Sequence, residues 1–212
     1  MPERIAGIDI PDSQVAGEAT ELVRDVASPL LFHHSRRVFL FGSLHGNRLS
    51  LAADPELLYV GAMFHDLGLT EKYRRTDQRF EIDGADEARR FLAAHGLPED
   101  RIRLVWLGIA LHTTPETPYH LDPEVALVTA GVETDVLGIG HSDLDSTLID
   151  AVVSAHPRPD FKRQILQAFT LGMKDRPATT FGTVNADVLD NFVPGFVRGD
   201  FVRVIEESDW PE

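Results

Sequence analysis

The stretch Leu57-Leu58-Tyr59-Val60-Gly61-Ala62-Met63-Phe64-His65-Asp66 runs eight residues without a charge and then sets an imidazole beside a carboxylate. Asp54-Pro55 stands ahead of it, a side-chain cap followed by proline at the first helical position, and Gly68 follows as a stop. The run therefore reads as a buried helix. An ionised carboxylate at the end of such a helix is costly to bury unless a cation pairs with it. A metal ion would supply that cation; a helix-end salt bridge is the plainer alternative.

Two further segments share the chemistry. His34 lies upstream in Phe32-His33-His34-Ser35-Arg36-Arg37-Val38, and Asp135 lies downstream in Thr134-Asp135-Val136-Leu137-Gly138. Helical periodicity dominates around them. Asp12-Ser13 caps a helix running toward Ala27, and Pro29 opens another from about Leu30 to Leu49. In that second helix Leu31, His34, Val38, Phe41 and His45 recur at steps of three and four, which puts apolar groups and two imidazoles on one face. A polar segment from Thr70 to Asp83 reads as an ordered loop or lid. Helices follow over 84–95, 98–111, 123–137, 146–154 and 161–174. The tail from Pro177 is less periodic, and its run Phe192-Val193-Pro194-Gly195-Phe196-Val197 is expected to pack back on the bundle. No strand ladder or internal repeat is visible. The expectation is one all-α domain over 1–212, with its core over about 30–174 and the tail 177–212 packed on it.

Composition narrows the chemistry. The 212 residues suffice for a full core without staples, and the 43 % apolar and 25 % charged fractions are those of an ordinary globular chain. There is no cysteine, which excludes disulfides, thiolate metal sites and a cysteine nucleophile. A metal must then be held by His, Asp or Glu, a donor set that suits zinc, iron or manganese. The net charge of −14 argues against nucleic acid or an anionic membrane as partner. No stretch approaches the ~20 apolar residues of a membrane span, and the first residues lack the pattern of a signal peptide. A cytoplasmic location is the expectation, and a homo-oligomer is left open.

His34, His65-Asp66 and Asp135 fall on three separate predicted helices. Bundles build metal sites from side chains that project inward from facing helices. Two imidazoles and two carboxylates would leave a divalent ion with open positions, the mark of a catalytic rather than a structural site. His33 competes with His34 for the ligand role. Arg37, three residues after His34, could orient a ligand carboxylate or bind an anionic substrate. His112 stands at a predicted helix end, either as a cation at the C-terminal dipole or as a hydrogen-bonding group near the metal. Glu81 is a solvent-facing lid residue or a pocket carboxylate. His45, His95, His120, His141 and His156 read as structural or surface residues.

The ordered set His34, His65-Asp66, Asp135 resembles the HD superfamily of metal-dependent hydrolases. The match is closest to its cyanamide hydratase-like group: Phe32 to Phe39 is similar to the first His segment, and Phe64 to Thr70 to the His-Asp segment. Arg79 to Ala85, Leu111-His112-Thr113 and Thr134 to Gly138 continue the match in order. The resemblance covers roughly 30–174. It implies an all-α HD-domain bundle and one divalent metal, zinc first and iron or manganese next, held by His34, His65, Asp66 and Asp135. It also implies addition of water to a nitrile-like or amide-like small molecule, with Asp66, His112 and Arg37 as catalytic residues.

Two alternatives stay open. Many HD phosphohydrolases carry a lysine after His-Asp-x-Gly, where this chain has Leu69, but Arg36, Arg37, Lys72, Arg74 and Arg75 keep a phosphoester substrate in play. A dinuclear oxygenase or phosphodiesterase would need two more histidines, from His95, His112 and His120.

Overall fold

The computed structural model describes residues 3–210. Ten α-helices account for most of the described chain: α1 (Gln14–Val26), α2 (Pro29–Leu49), α3 (Pro55–Phe64), α4 (Phe80–Ala94), α5 (Glu99–Leu111), α6 (Pro123–Leu137), α7 (Ser146–Ala155), α8 (Phe161–Met173), α9 (Asn185–Phe192) and α10 (Phe201–Glu206). The fold is all-α. A single departure is the two-stranded hairpin of β1 (Arg4–Ile5) and β2 (Ile8–Asp9), antiparallel with Ile5 opposite Ile8. No helix among the described residues is long and apolar enough to cross a membrane.

Local chemistry starts the helices where the sequence says it should. Ser13 accepts a hydrogen bond from the Ala16 amide, Ser28 from that of Leu31, and Asp54 from those of Glu56 and Leu57. Each satisfies an amide that the first turn leaves without a partner. Pro29, Pro55 and Pro123 occupy first-turn positions, where no amide hydrogen is needed.

Helix α3 is buried over all of Leu57–Phe64, as an all-round apolar helix must be. It is surrounded by α1, α2, α4, α5 and α6. Helices α2 and α6 cross at backbone contact: a Cβ on Gly131 would lie 2.1 Å from the Val38 carbonyl oxygen, and one on Gly42 2.5 Å from that of Leu127. This crossing brings the His34 face of α2 against the Asp135 face of α6. A second apolar cluster joins α8 and α9 to the rest through Leu31, Leu69, Phe80, Phe161, Ile165 and Leu189. Phe161 stands 5.4 Å from the His34 ring and Phe80 5.5 Å from the His112 ring, so the two clusters meet at the histidines.

Three boundaries differ from the sequence reading. Helix α3 ends at Phe64, and Gly68 sits instead in a 3-10 turn, Leu67–Leu69, where a Cβ would lie 2.0 Å from the Phe80 carbonyl oxygen. The polar segment is shorter than expected, because Phe80 to Asp83 form the first turn of α4. Nor does that segment hang free: buried Arg176 pairs with Asp83 and donates to the carbonyls of Gln78 (3.0 Å) and Gly68 (2.6 Å). In the tail, Val193 and Phe196 do pack on the second cluster, but from Val197 to Trp210 every residue is exposed.

Candidate metal centre

Three histidines are fixed by the same device, a ring Nδ1–H that donates to a fixed acceptor. His65 closes α3 and donates to the Ala62 carbonyl at 2.7 Å; His112 closes α5 and donates to that of Ile109, also at 2.7 Å. Both carbonyls belong to a last helical turn, where amide partners run short; that of Ile109 also receives the His112 amide at 3.5 Å. His34, mid-way along α2, donates to Asp135 Oδ2 at 2.6 Å. In each ring, in its neutral form, the bond at Nδ1 leaves Nε2 with a lone pair.

Those lone pairs converge. His34 Nε2 and His65 Nε2 are 3.1 Å apart. Asp66 Oδ2 lies 3.6 Å from the first and 3.3 Å from the second, and Asp66 Oδ1 lies 3.8 Å from His112 Nε2. All four side chains are buried, and both Asp66 oxygens lack any hydrogen-bond partner. A buried carboxylate without a partner and two facing lone pairs are each unfavourable alone. A cation among His34, His65 and Asp66, whose donor atoms lie within 4.8 Å of one another, relieves both. The residues present fit a divalent ion bound by nitrogen and oxygen.

Charge states follow from the same packing. Burial alone would raise the Asp66 carboxyl, but His65 and His34 outweigh it and hold it below the ordinary range. Burial, aided by neighbouring His65, pushes His112 down to about 4, so this ring is neutral near pH 7.

Asp135 stands differently from the expectation that it joins the ligand set. Its Oδ2 accepts from His34 Nδ1 and from Arg37 Nη2 at 2.8 Å; its Oδ1 accepts from Arg37 Nε at 2.8 Å and faces Arg158 Nε at 3.1 Å. The carboxylate therefore sits behind the His34 ring, on the side away from His65. The cause is Arg37, one turn beyond His34, whose planar fork takes both oxygens. Arg37 is fully buried, and its remaining nitrogen donates to the carbonyls of His156 and Pro157 at 3.0 Å. It orients a carboxylate and does not line the chamber above the histidines.

The other named residues lie as follows. His33 turns away from the cluster to His156, with the two Nδ1 atoms 3.1 Å apart. Glu81 is buried and accepts from Arg79 (2.7 Å), Thr113 (2.5 Å) and Asn185 (2.8 Å); burial opposes its ionisation, yet Arg79 and His112 hold its carboxyl below the usual range. His45 bonds Thr134, His95 meets Glu18, and exposed His120 faces Glu116. None of these three reaches Asp66. Arg36 is tied to Tyr59, His156 and Glu3, Arg74 to the Leu171 carbonyl and Arg75 to Asp77. Lys72 lies over the Tyr73 ring.

Above the histidines opens a chamber of about 270 Å³. Its floor is His34, His65, Asp66 and His112; its walls are chiefly Val132, Val136, Leu166, Phe169, Val184 and Val188. No lysine or arginine lines it. An outer basin of about 460 Å³ adjoins it, sharing Thr113, Pro115 and Val184. Reading the sequence missed Arg158 and the wall residues of α8 and α9. Arg158 carries no motif, and the valines look like any apolar helix face.

A buried His/Asp cluster that could hold a cation, set among facing helices, defines an all-α protein with a candidate metal centre in its core. The chain belongs to the HD domain family, which it matches over residues 31–151, more than half of its length. Members bind divalent metals and are typically metal-dependent hydrolases. The matched span holds His34, His65, Asp66, His112 and Asp135 and ends before α8 and α9. No curated protein matches the chain.

Proposed function

We propose that this chain is a mononuclear metal-dependent hydrolase or hydratase that adds water to a small, neutral nitrile-like or amide-like substrate. The observation that carries this reading is the chamber: it opens on the orphaned Asp66 carboxylate and is lined by apolar side chains without a free cation. A phosphoester would bring one or two negative charges into that space. Transfer of such a group calls for guanidinium or ammonium donors near the ion, and Arg36, Arg37, Arg74 and Arg75 are engaged elsewhere. A dinuclear site lacks a second histidine beside His112, since His95 and His120 lie at the surface.

His34 Nε2, His65 Nε2 and Asp66 would hold the ion, with zinc first and iron or manganese as alternatives. A divalent ion there supplies water acidified from a pKa of 15.7 toward ~7 and an electrophile for the substrate's nitrogen or oxygen. The chain's own residues do the rest. Asp66 Oδ1, facing His112, accepts and returns the proton that moves during addition. Neutral His112, its Nδ1–H spent on Ile109, presents Nε2 as an acceptor within the chamber. Asp135 and Arg37 hold the His34 tautomer and ring plane. The apolar walls lower the polarity around these contacts.

The test is metal content per chain, measured without chelators, alongside turnover of cyanamide, simple nitriles and amides, and a nucleoside monophosphate panel. About one ion with nitrile, amide or cyanamide turnover is the expected result. About one ion with phosphate release would replace it with the phosphohydrolase reading. Two ions would bring His112 into the ligand set and overturn the mononuclear assignment.

A further inference from the structure

The chamber is far larger than the smallest substrate its chemistry would accept. Cyanamide has three heavy atoms and displaces roughly two waters, each with a share of ~30 Å³ of liquid. Most of the 270 Å³ would then hold water against Val132, Val136, Leu166, Phe169 and Val188. An apolar cavity of ~150 Å³ already suffices for benzene. The walls offer few polar side chains to compensate that water: Thr113, whose hydroxyl donates to Glu81, and Asn185 and Glu133. Of these, Asn185 donates to Glu81 at 2.8 Å and Glu133 accepts from Tyr119 at 2.5 Å. The polar groups are instead concentrated on the floor, at His34, His65, Asp66 and His112.

We infer that the physiological substrate is an amide or nitrile carrying an apolar body at least the size of a benzene ring. The body lies between the α8 wall (Leu166, Phe169) and the α9 wall (Val184, Val188), and the reacting carbon lies on the floor. This rests on the hydrolase reading above and adds the substrate class. Burial of the non-reacting part supplies binding energy that a three-atom substrate cannot. Val188 is a specificity-determining residue in this arrangement: it belongs to a wall outside the family-matched span. The outer basin, reached past Thr113 and Pro115, is the route by which water enters and, where the substrate is an amide, ammonia leaves.

The experiment compares acetonitrile, butyronitrile and benzonitrile, and the matching amides, on the as-purified metal-loaded protein. In parallel, calorimetry measures benzamide binding to the wild type and to Val188→Trp, which fills the chamber. About fourfold in kcat/KM is expected per added methylene, hence about fifteenfold from acetonitrile to butyronitrile, with benzonitrile higher still. Val188→Trp should lower the ratio of benzonitrile to acetonitrile turnover at least tenfold and abolish benzamide binding. Benzamide binding that Val188→Trp removes, with no turnover of any nitrile or amide, would uphold the apolar ligand class and refute the reaction. Turnover of cyanamide with a flat gradient and no benzamide binding would overturn the inference and leave the reaction standing. A Val188→Trp variant that does not fold is replaced by Val188→Phe, judged by the same ratio.

Discussion

Replacing Asp135 by Asn separates a metal ligand from a residue that orients one. In the structure this carboxylate receives His34 Nδ1, two Arg37 nitrogens and the close approach of Arg158. The amide of Asn keeps one acceptor but turns an NH2 toward groups that are all donors. It also removes the charge that balances fully buried Arg37. Breaking a buried ion pair costs about 3–5 kcal/mol. Arg37 retains the His156 and Pro157 carbonyls, which places the loss near the lower end, about 3 kcal/mol. For a domain of this size that lowers Tm by about 6–12 °C, measured on chelated wild type and variant so that metal does not enter. Metal affinity should fall about 10–100-fold, the range for a residue hydrogen-bonded to a ligand histidine, with stoichiometry kept at saturating metal. Chelator competition reads the affinity, and the absorption spectrum of the cobalt-loaded form reads the ligand set. Asp66→Asn, which alters the orphaned carboxylate itself, should lose metal far more completely. If Asp135→Asn takes up no metal while Asp66→Asn loads as well as it does or better, Asp135 is a direct ligand and the reasoning fails.

Three more predictions follow from local geometry. His112→Ala should keep its metal and lose most of its turnover, by metal analysis and steady-state kinetics; loss of the metal would put His112 among the ligands. Burial, with Arg36 and His33 beside it, pushes His156 down to about 3, whereas in the unfolded chain it titrates near ~6.5. The unfolded state thus binds more protons between those values, so stability declines as pH drops through that window, and His156→Gln should flatten part of the decline in urea unfolding series. Gly131→Ala should cost about 3 kcal/mol, because its Cβ would meet the Val38 backbone at 2.1 Å. Gly17→Ala, a helix position with nothing within 4 Å, should instead gain about 0.5–1 kcal/mol; equal effects in thermal melts would contradict the account of the α2–α6 crossing.

The sequence was most informative where a local rule sets the outcome. Ser13, Ser28 and Asp54 start their helices because a cap depends on residues two or three positions away, and the apolar run 57–64 had nowhere to go but inside. The histidines and Asp66 converge as their order implied. Asp135 was legible as a buried functional carboxylate and Arg37 as a residue that could orient one, but their meeting was not. It depends on the crossing of α2 and α6, which brings together residues 98 positions apart. The same holds for Glu81: neither lid nor solvent face, it is enclosed by Arg79, Thr113 and Asn185 from three different segments. The end of α3 was placed too late because Gly68 looked like a cap, while its real constraint is the approach of Phe80. The chamber's outer wall was invisible for a simpler reason. Val184 and Val188 lie in a stretch without strong periodicity, and only packing shows what they face.

The residues that converge on the cation site all precede position 136, whereas the two walls that would grip the body of a substrate, on α8 and at α9, begin only at Leu166. On a ribosome adding about 5–20 residues per second, the intervening stretch takes seconds to emerge. Until then the floor residues lack the α8 and α9 walls that line the chamber. Replacement of the closing segment through descent can also change which molecules fit without disturbing the groups that act on them.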